Sequence, residues 1–235
     1  MDQQWIQAHS LGGNTYLATL QLIRHLSAYK TPKILDLGCG KCLSSILLAE
    51  KLGAEVWAID NQAPVDENFQ ILRQFEHLRV IPLQLDATNL PFPHNYFDCI
   101  VAVNATYYFG TDDKFLPYIS KFLKKDGIMA ITDICFTQEI ESVGEIPALL
   151  KADFFYYFQH IHALEWWKRK WEKTGLFDIL VAEHCENIGQ MKEAYLKMTE
   201  KAPDAFTHAL LQDDGHVLDF FTLIGKKNDL PPFLE

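Results

Sequence analysis

The stretch KILDLGCGKCLSS, residues 33–45, overlays two kinds of chemistry. Asp36, Gly38 and Gly40 make an acidic strand end running into a glycine loop. There the backbone can approach a ligand closely, and the helix that follows offers free N–H groups to an anion. Cys39 and Cys42 make a C-x-x-C at the same helix start, where the helix dipole lowers a thiol pKa and suits nucleophilic or redox chemistry. The glycine reading also gives work to acids further on. Asp60, about two dozen residues after Asp36, ends a second apolar run, and Asp86 ends a third. A carboxylate at the second strand end can accept both hydroxyl protons of a ribose. The thiol reading leaves these acids without a role, and Gly38 stands where thiol redox motifs usually carry an aromatic. No metal is expected, since Cys99, Cys135 and Cys185 stand singly and no second C-x-x-C or His pair completes a zinc set. A nicotinamide fingerprint fails as well: G-x-G-x-x-G would need glycine at Leu43.

These residues need a scaffold that brings strand ends together. Short β-rich runs alternate with helical patterns: strands at 33–38, 54–60, 79–87, 96–105 and 128–136, and helices at 43–53, 66–78 and 112–127. Pro82 marks the third strand as an edge. Phe69, Leu72 and Phe75 share one side of the helix over 66–78. Such alternation implies right-handed βαβ crossovers and a parallel sheet, with ligands at the carboxyl ends of the strands. The loops after residues 36, 60, 86 and 103 should then meet in one crevice. Past residue 137 the period is lost. A helix at 165–175, a strand at 176–185, a helical stretch at 188–211 and a strand at 216–227 follow. The expectation is one domain over 1–235, with a core at about 10–136 and 165–227 and cap segments at about 137–165 and 187–213.

The chain has 235 residues, 49% hydrophobic and 22% charged, and a formal net charge of -10. That composition supports a sizeable core. An acidic surface repels phosphate backbones, so nucleic acid is not expected as a partner. Lys168, Arg169, Lys170 and Lys173, interleaved with Trp166, Trp167 and Trp171, fit an amphipathic helix. No apolar run reaches the ~20 residues of a membrane span. The N-terminus lacks the basic and apolar regions of a secretory signal, and five cysteines are an odd count. The expected setting is soluble and cytoplasmic, with free thiols.

The motifs together resemble those of the class I S-adenosylmethionine-dependent methyltransferases. ILDLGCGKC resembles the acid and Gly-x-Gly after their first strand, VWAID the acidic end of the second, and LQLDATNLPF the Asp-Ala stretch after the third. YFDCIVAVNATYYF and FLKKDGIMAITDICF are similar to the fourth-strand motif and the unit after it, so the likeness covers residues 10–136 in order. HALEWWKRKWEKTGLFDI resembles a later segment of small-molecule members. Cys42 departs from the pattern, standing where these proteins usually carry glycine. The resemblance implies a Rossmann-like α/β sheet of about seven strands, mostly parallel with an antiparallel last strand. It also implies S-adenosyl-L-methionine as cofactor and in-line methyl transfer to a small-molecule acceptor.

Carried onto this chain, the resemblance has Asp36 hold the methionine ammonium while the backbone of Gly38, Cys39 and Gly40 passes beside it. Asp60, with Asn61 next to it, takes the ribose. Asp86 and the Ala87 N–H take the adenine, and Asn104 stands where the methyl group points. For Asp36, Asp60 and Asp86 the plainer reading is a carboxylate capping its own turn. Tyr16, Tyr107 and Trp166 are substrate candidates. Tyr107 and Tyr108 either line the pocket or fill core. Tyr156, Tyr157, Trp166 and Trp167 either cage a cationic product or form the cap's own core. His160 and His162 are candidates for a base, if the acceptor must lose a proton, or are surface histidines. Gly12, Gly13 and Tyr16 belong to a segment that closes over the cofactor in similar proteins. Two other readings remain: a protein that binds the cofactor without catalysis, and a thiol redox protein.

Overall fold

The computed structural model describes residues 1–11, 14–27, 32–186, 189–190, 192–193, 205–213 and 216–228. Among these residues seven strands form one sheet, in the order β3-β2-β1-β4-β5-β7-β6. They are β1 (Lys33–Leu37), β2 (Glu55–Asp60), β3 (Arg79–Gln84), β4 (Phe97–Val103), β5 (Leu123–Phe136), β6 (Phe177–His184) and β7 (Leu218–Lys227). The pairs β1–β2, β1–β4, β2–β3 and β4–β5 are parallel, and β7 runs antiparallel between β5 and β6. β1 lies between β2 and β4, so the chain order reverses there. That reversal opens a crevice at the carboxyl ends of these strands.

The helices are α1 (Gln3–His9), α2 (Thr15–Leu26), α3 (Leu43–Leu52), α4 (Val65–Leu72), α5 (Phe115–Ser120) and α6 (Leu164–Thr174), with a further helix over Ala205–Gln212. Successive strand residues point to opposite faces and so feed two cores. Ile34, Val56, Val101 and Ala130 pack with Leu22 and Leu26 of α2 and Leu48 of α3. Leu35, Trp57, Ile100 and Ile131 pack with Ile119 of α5 and Trp167 and Trp171 of α6. Ile146, Leu150, Phe158 and Ile161, from the aperiodic stretch, join the first of these cores. β3 is an edge strand, as Pro82 implies, and β6 is the other edge.

Four expectations need correction. The helix over 112–127 is only Phe115–Ser120, and β5 begins at Leu123. Leu123 pairs with Phe97, and the register shifts before Ile128 pairs with Cys99. Asp126, at φ 58°, and Gly127 make this irregularity inside the strand rather than a helix end. The helix over 66–78 stops at Leu72 and tightens into a 3-10 turn at Arg73–Phe75. Its apolar side is also turned: Phe69 is exposed and Asn68 is the buried residue. Tyr156 and Tyr157, 83% and 52% exposed, neither form cage walls nor fill core. Gly12, Gly13 and much of 188–211 lie outside the described residues.

Cys42 precedes α3 with φ 62°, in the left-handed region. That conformation costs an L-residue with a Cβ roughly 1–2 kcal/mol and costs glycine almost nothing. The side chain is nonetheless fully buried, against Cys39, Ile46 and Ala58. Backbone strain and side-chain burial therefore oppose each other at this position. Cys42→Gly relieves the first and loses the second, whereas Cys42→Ala keeps the strain and loses the sulfur. Urea denaturation should accordingly rank Cys42→Gly above Cys42→Ala by about 1 kcal/mol, the reverse of their order inside a helix. An alanine variant as stable as the glycine variant would show that the backbone there is unstrained.

Candidate active site

The crevice has a volume of about 610 Å³. Its floor is the glycine loop after β1. Gly38 and Cys39 both donate their N–H to the Ile59 carbonyl, at 2.9 and 3.0 Å, which ties the loop to β2. Gly38 has φ 72°, and a Cβ there would stand 2.5 Å from Ala105 Cβ, so no side chain fits between the loops after β1 and β4. Gly40 is held from both sides. Its N–H donates to Asp60 Oδ2 at 2.9 Å, and its carbonyl accepts from Asn68 Nδ2 at 2.9 Å. Gly38, Cys39, Gly40, Asp60, Asn61, Asp86, Ala87, Asn104 and Tyr107 all line the crevice, as does the exposed Tyr108. The four loops thus converge as the sequence implies.

The carboxylates differ in how they are used. Asp36 lies behind the loop, fully buried, and its Oδ2 accepts from the Ser44 and Ser45 hydroxyls at 2.6 Å each. Its Oδ1 is buried without a hydrogen-bond partner among the described residues. Burial pushes its pKa up to about 6, the two serine bonds opposing part of the rise. Asp60 caps its own turn as well as facing the crevice, since Oδ1 accepts from the Gln62 and Ala63 N–H groups at 2.8 and 2.9 Å. A carboxylate offers about four lone-pair sites, so with three used it can still accept from a ligand hydroxyl. Asp86 Oδ1 accepts from the Thr88 N–H and hydroxyl at 2.7 Å, and the Thr88 backbone bond holds its pKa below the ordinary value.

Asn104 ends β4 at φ 53° and is buried. Its Nδ2 lies 3.5 Å from Thr15 Oγ1, whose own proton goes to the Leu11 carbonyl at 2.9 Å. That leaves the Asn104 Oδ1 as a buried acceptor with no hydrogen-bond partner among the described residues. Asp133, in β5, holds the next turn by accepting the Thr106 N–H at 2.8 Å and its neighbour Ile134 N–H at 2.9 Å. It is fully buried, which pushes its pKa up to about 7 against those bonds.

Several candidates are not brought to the crevice. Tyr16, Trp166, His160 and His162 do not line it. His160 is exposed. His162 is taken up by Glu139, at 2.8 Å through Nδ1, and by stacking on Trp166 at 3.7 Å. Cys39 and Cys42 are free and buried with their sulfurs 4.0 Å apart. The Cys39 thiol is pushed well above its ordinary pKa, first by its bond with Cys42 and then by burial, the opposite of an activated thiolate. Burial pushes Cys99 and Cys185 up to about 12. Among the described residues no group of His, Cys, Asp and Glu could hold a metal ion. His9 and Asn68 were not legible as site residues, because each reaches the glycine loop or its crevice from a helix outside the motifs; Lys41, Ser45 and Asp133 lie within quoted motifs, but what each touches is set by the fold.

Asp36 and Asp133 fix a sign for stability against pH. Each holds its proton more tightly folded than unfolded, where an aspartate has pKa ~3.9. Their contribution is complete below about pH 4 and is lost as pH rises through about 6 for Asp36 and about 7 for Asp133. Asp133→Asn keeps an acceptor for Thr106 and removes the titration. Between pH 5 and 8 its unfolding free energy should fall less than that of the wild type. Parallel curves would mean Asp133 titrates normally.

Comparison with known proteins places this geometry. Residues 34–127 match the family model described as a methyltransferase domain. Phosphoethanolamine N-methyltransferase 1 of Zea mays is 21% identical over 83% of this chain, which spans only 38% of that protein's length. A phosphoethanolamine N-methyltransferase 2 from Haemonchus contortus, solved with S-adenosyl-L-methionine, superposes with a TM-score of 0.74 at 18% identity, covering 96% of this chain and 56% of that one. The cyclase SpnF also shares the fold, with a TM-score of 0.67 at 18% identity over 91% of this chain and 80% of its own. The family model runs from β1 into β5, across the loops that build the crevice, so this part of the chain is similar to a methyltransferase domain, and the whole described sheet shares its fold with the solved methyltransferases.

Proposed function

We propose that the protein transfers a methyl group from S-adenosylmethionine to a small-molecule acceptor. One observation carries the proposal: a single crevice runs from the glycine loop, past the acids at the ends of β2 and β3, to Asn104–Phe109. Its residues fit the cofactor. The unpartnered Oδ1 of Asp36 suits the ammonium of the amino-acid end, directly or through water. The remaining capacity of Asp60 suits a ribose hydroxyl, and Asp86 and the Ala87 N–H, in the lining of the same crevice, suit an adenine edge. The bound sulfonium supplies a methyl group already activated by its positive charge. The chain then has to orient the acceptor against it, and in-line alignment of this kind is worth roughly 7–11 kcal/mol of barrier. Val103, Asn104, Tyr107, Tyr108 and Phe109 form the part of the wall available for that.

Acidic balance disfavours nucleic acid as the acceptor. Among the described residues no helix is long and apolar enough to cross a membrane. A second reading, cofactor binding without methyl transfer, is kept by the cyclase that shares the fold; only turnover of an acceptor separates the two.

S-adenosylhomocysteine at 100 times its dissociation constant should stabilise the protein by about 2.7 kcal/mol. For a chain of this size that raises the melting temperature by roughly 5–10 °C, while NAD should leave it unchanged. No shift with S-adenosylhomocysteine or S-adenosylmethionine at millimolar concentration sinks the proposal. Asp60→Ala removes the acceptor for Gly40, Gln62 and Ala63 together with that for the ribose. It should lower cofactor affinity at least about tenfold, the scale of a lost bond to a charged group, and should also lower the melting temperature. An unchanged dissociation constant by calorimetry would place the ribose elsewhere.

A further inference from the structure

His9 is a crevice wall residue that no strand-end motif accounts for. It is the last residue of α1. Its Nδ1 lies 2.7 Å from the Trp5 carbonyl oxygen, which can only accept, so Nδ1 carries a proton. The ring stacks on Trp5 with centroids 3.9 Å apart and planes 13° from parallel. Trp5 in turn meets Phe75 edge-on at 5.3 Å. The imidazole is therefore held on one edge and one face, and Nε2 is the polar atom it has left to offer.

The surrounding contacts set this ring over the glycine loop. Lys41 Nζ donates to the carbonyl of Ala8 at 3.1 Å. Leu11 stands over Gly40, close enough that a Cβ added there would meet its Cδ1 at 2.9 Å. His9 and Lys41 are the basic side chains among the described residues lining the crevice, and its acids are Asp60 and Asp86. Asp60 shares this corner through its bond to the Gly40 N–H. A cofactor passing Gly38 to Gly40 brings a carboxylate as well as an ammonium. Asp36 answers the ammonium; the carboxylate needs a donor, in a crevice whose strand-end charges are acids.

We infer that His9 is that donor: with Nε2 protonated, its imidazolium binds the carboxylate of the cofactor's amino-acid end, beside Lys41. A charge-assisted bond is the stronger kind, and stacking on Trp5 fixes the plane of the ring. The inference rests on the methyltransferase reading and adds a residue that the motifs leave out.

The test is calorimetry with two probes, S-adenosylhomocysteine and its decarboxylated analogue, which keeps the amine and lacks the carboxylate. The variants are His9→Ala and His9→Phe, the second keeping an aromatic ring against Trp5. Both variants should bind S-adenosylhomocysteine about tenfold more weakly or worse, a loss of about 1.4 kcal/mol. Both should bind the decarboxylated analogue within about twofold of wild type. Equal losses for the two probes, no loss for either, or recovery of wild-type affinity in His9→Phe would each overturn the inference. Failure of the wild type to bind S-adenosylhomocysteine at all is a separate result, and it falls on the cofactor reading itself.

Discussion

The bond from the Gly40 N–H to the Asp60 carboxylate is the constraint on which the site depends. It joins the loop after β1 to the end of β2, and its 2.9 Å length is matched on the other side of Gly40 by Asn68. With Gly38 and Cys39 tied to Ile59, the left-handed residues Gly38 and Gly40 are held in place by bonds from their backbone N–H groups. A loop held this way spends no ordering entropy when a ligand arrives, which is how a rigid scaffold makes binding stronger without added contacts. Asp60 therefore holds its own turn and the glycine loop while it also faces the crevice, so the turn-capping reading is met and acceptor capacity is left over.

Two buried carboxylates stand behind this surface at a cost in stability. Asp36 and Asp133 are each fully buried, and burial raises both pKa values against the hydrogen bonds that lower them. Their positions explain why they persist. Asp36 braces the first turn of α3 through Ser44 and Ser45, and Asp133 braces the turn after Asn104 through the Thr106 N–H. A positively charged ligand end beside Asp36 would favour its ionised form, so occupancy and ionisation there are linked.

The strands and the crevice were legible in the sequence because both rest on local signals: buried apolar runs, a glycine pair, and acids at run ends. The motifs placed Gly38, Asp60, Asp86 and Asn104 at one site, and they meet there. What stayed hidden was decided by tertiary context. Phe69 looked inward on helical period, but α4 turns Asn68 toward Gly40 instead, because a buried carbonyl there needs a donor. The residues 123–127 looked helical by continuation from Phe115, yet Leu123 pairs with Phe97 across the sheet. His162 stood as either a candidate base or a surface histidine and is committed to Glu139, more than twenty residues away in sequence. The C-x-x-C offered a reactive thiol as the rival reading, and the bond between the two sulfurs, with burial behind it, pushes the Cys39 thiol up instead of down.

The two margins of the sheet have a consequence for the life of the chain in a crowded solution. β3 ends the sheet with Pro82, which has no N–H to offer an incoming strand. β6 ends it at the other side with a register shift between Ile179 and Val181, and Leu180 between them is exposed. Neither margin presents an unbroken ladder. A second sheet arriving edge-on would lose a bond at the proline and meet a kink at Leu180. A mostly parallel sheet, slow to assemble from distant segments, thus carries at both borders its own protection against recruiting strands from another molecule.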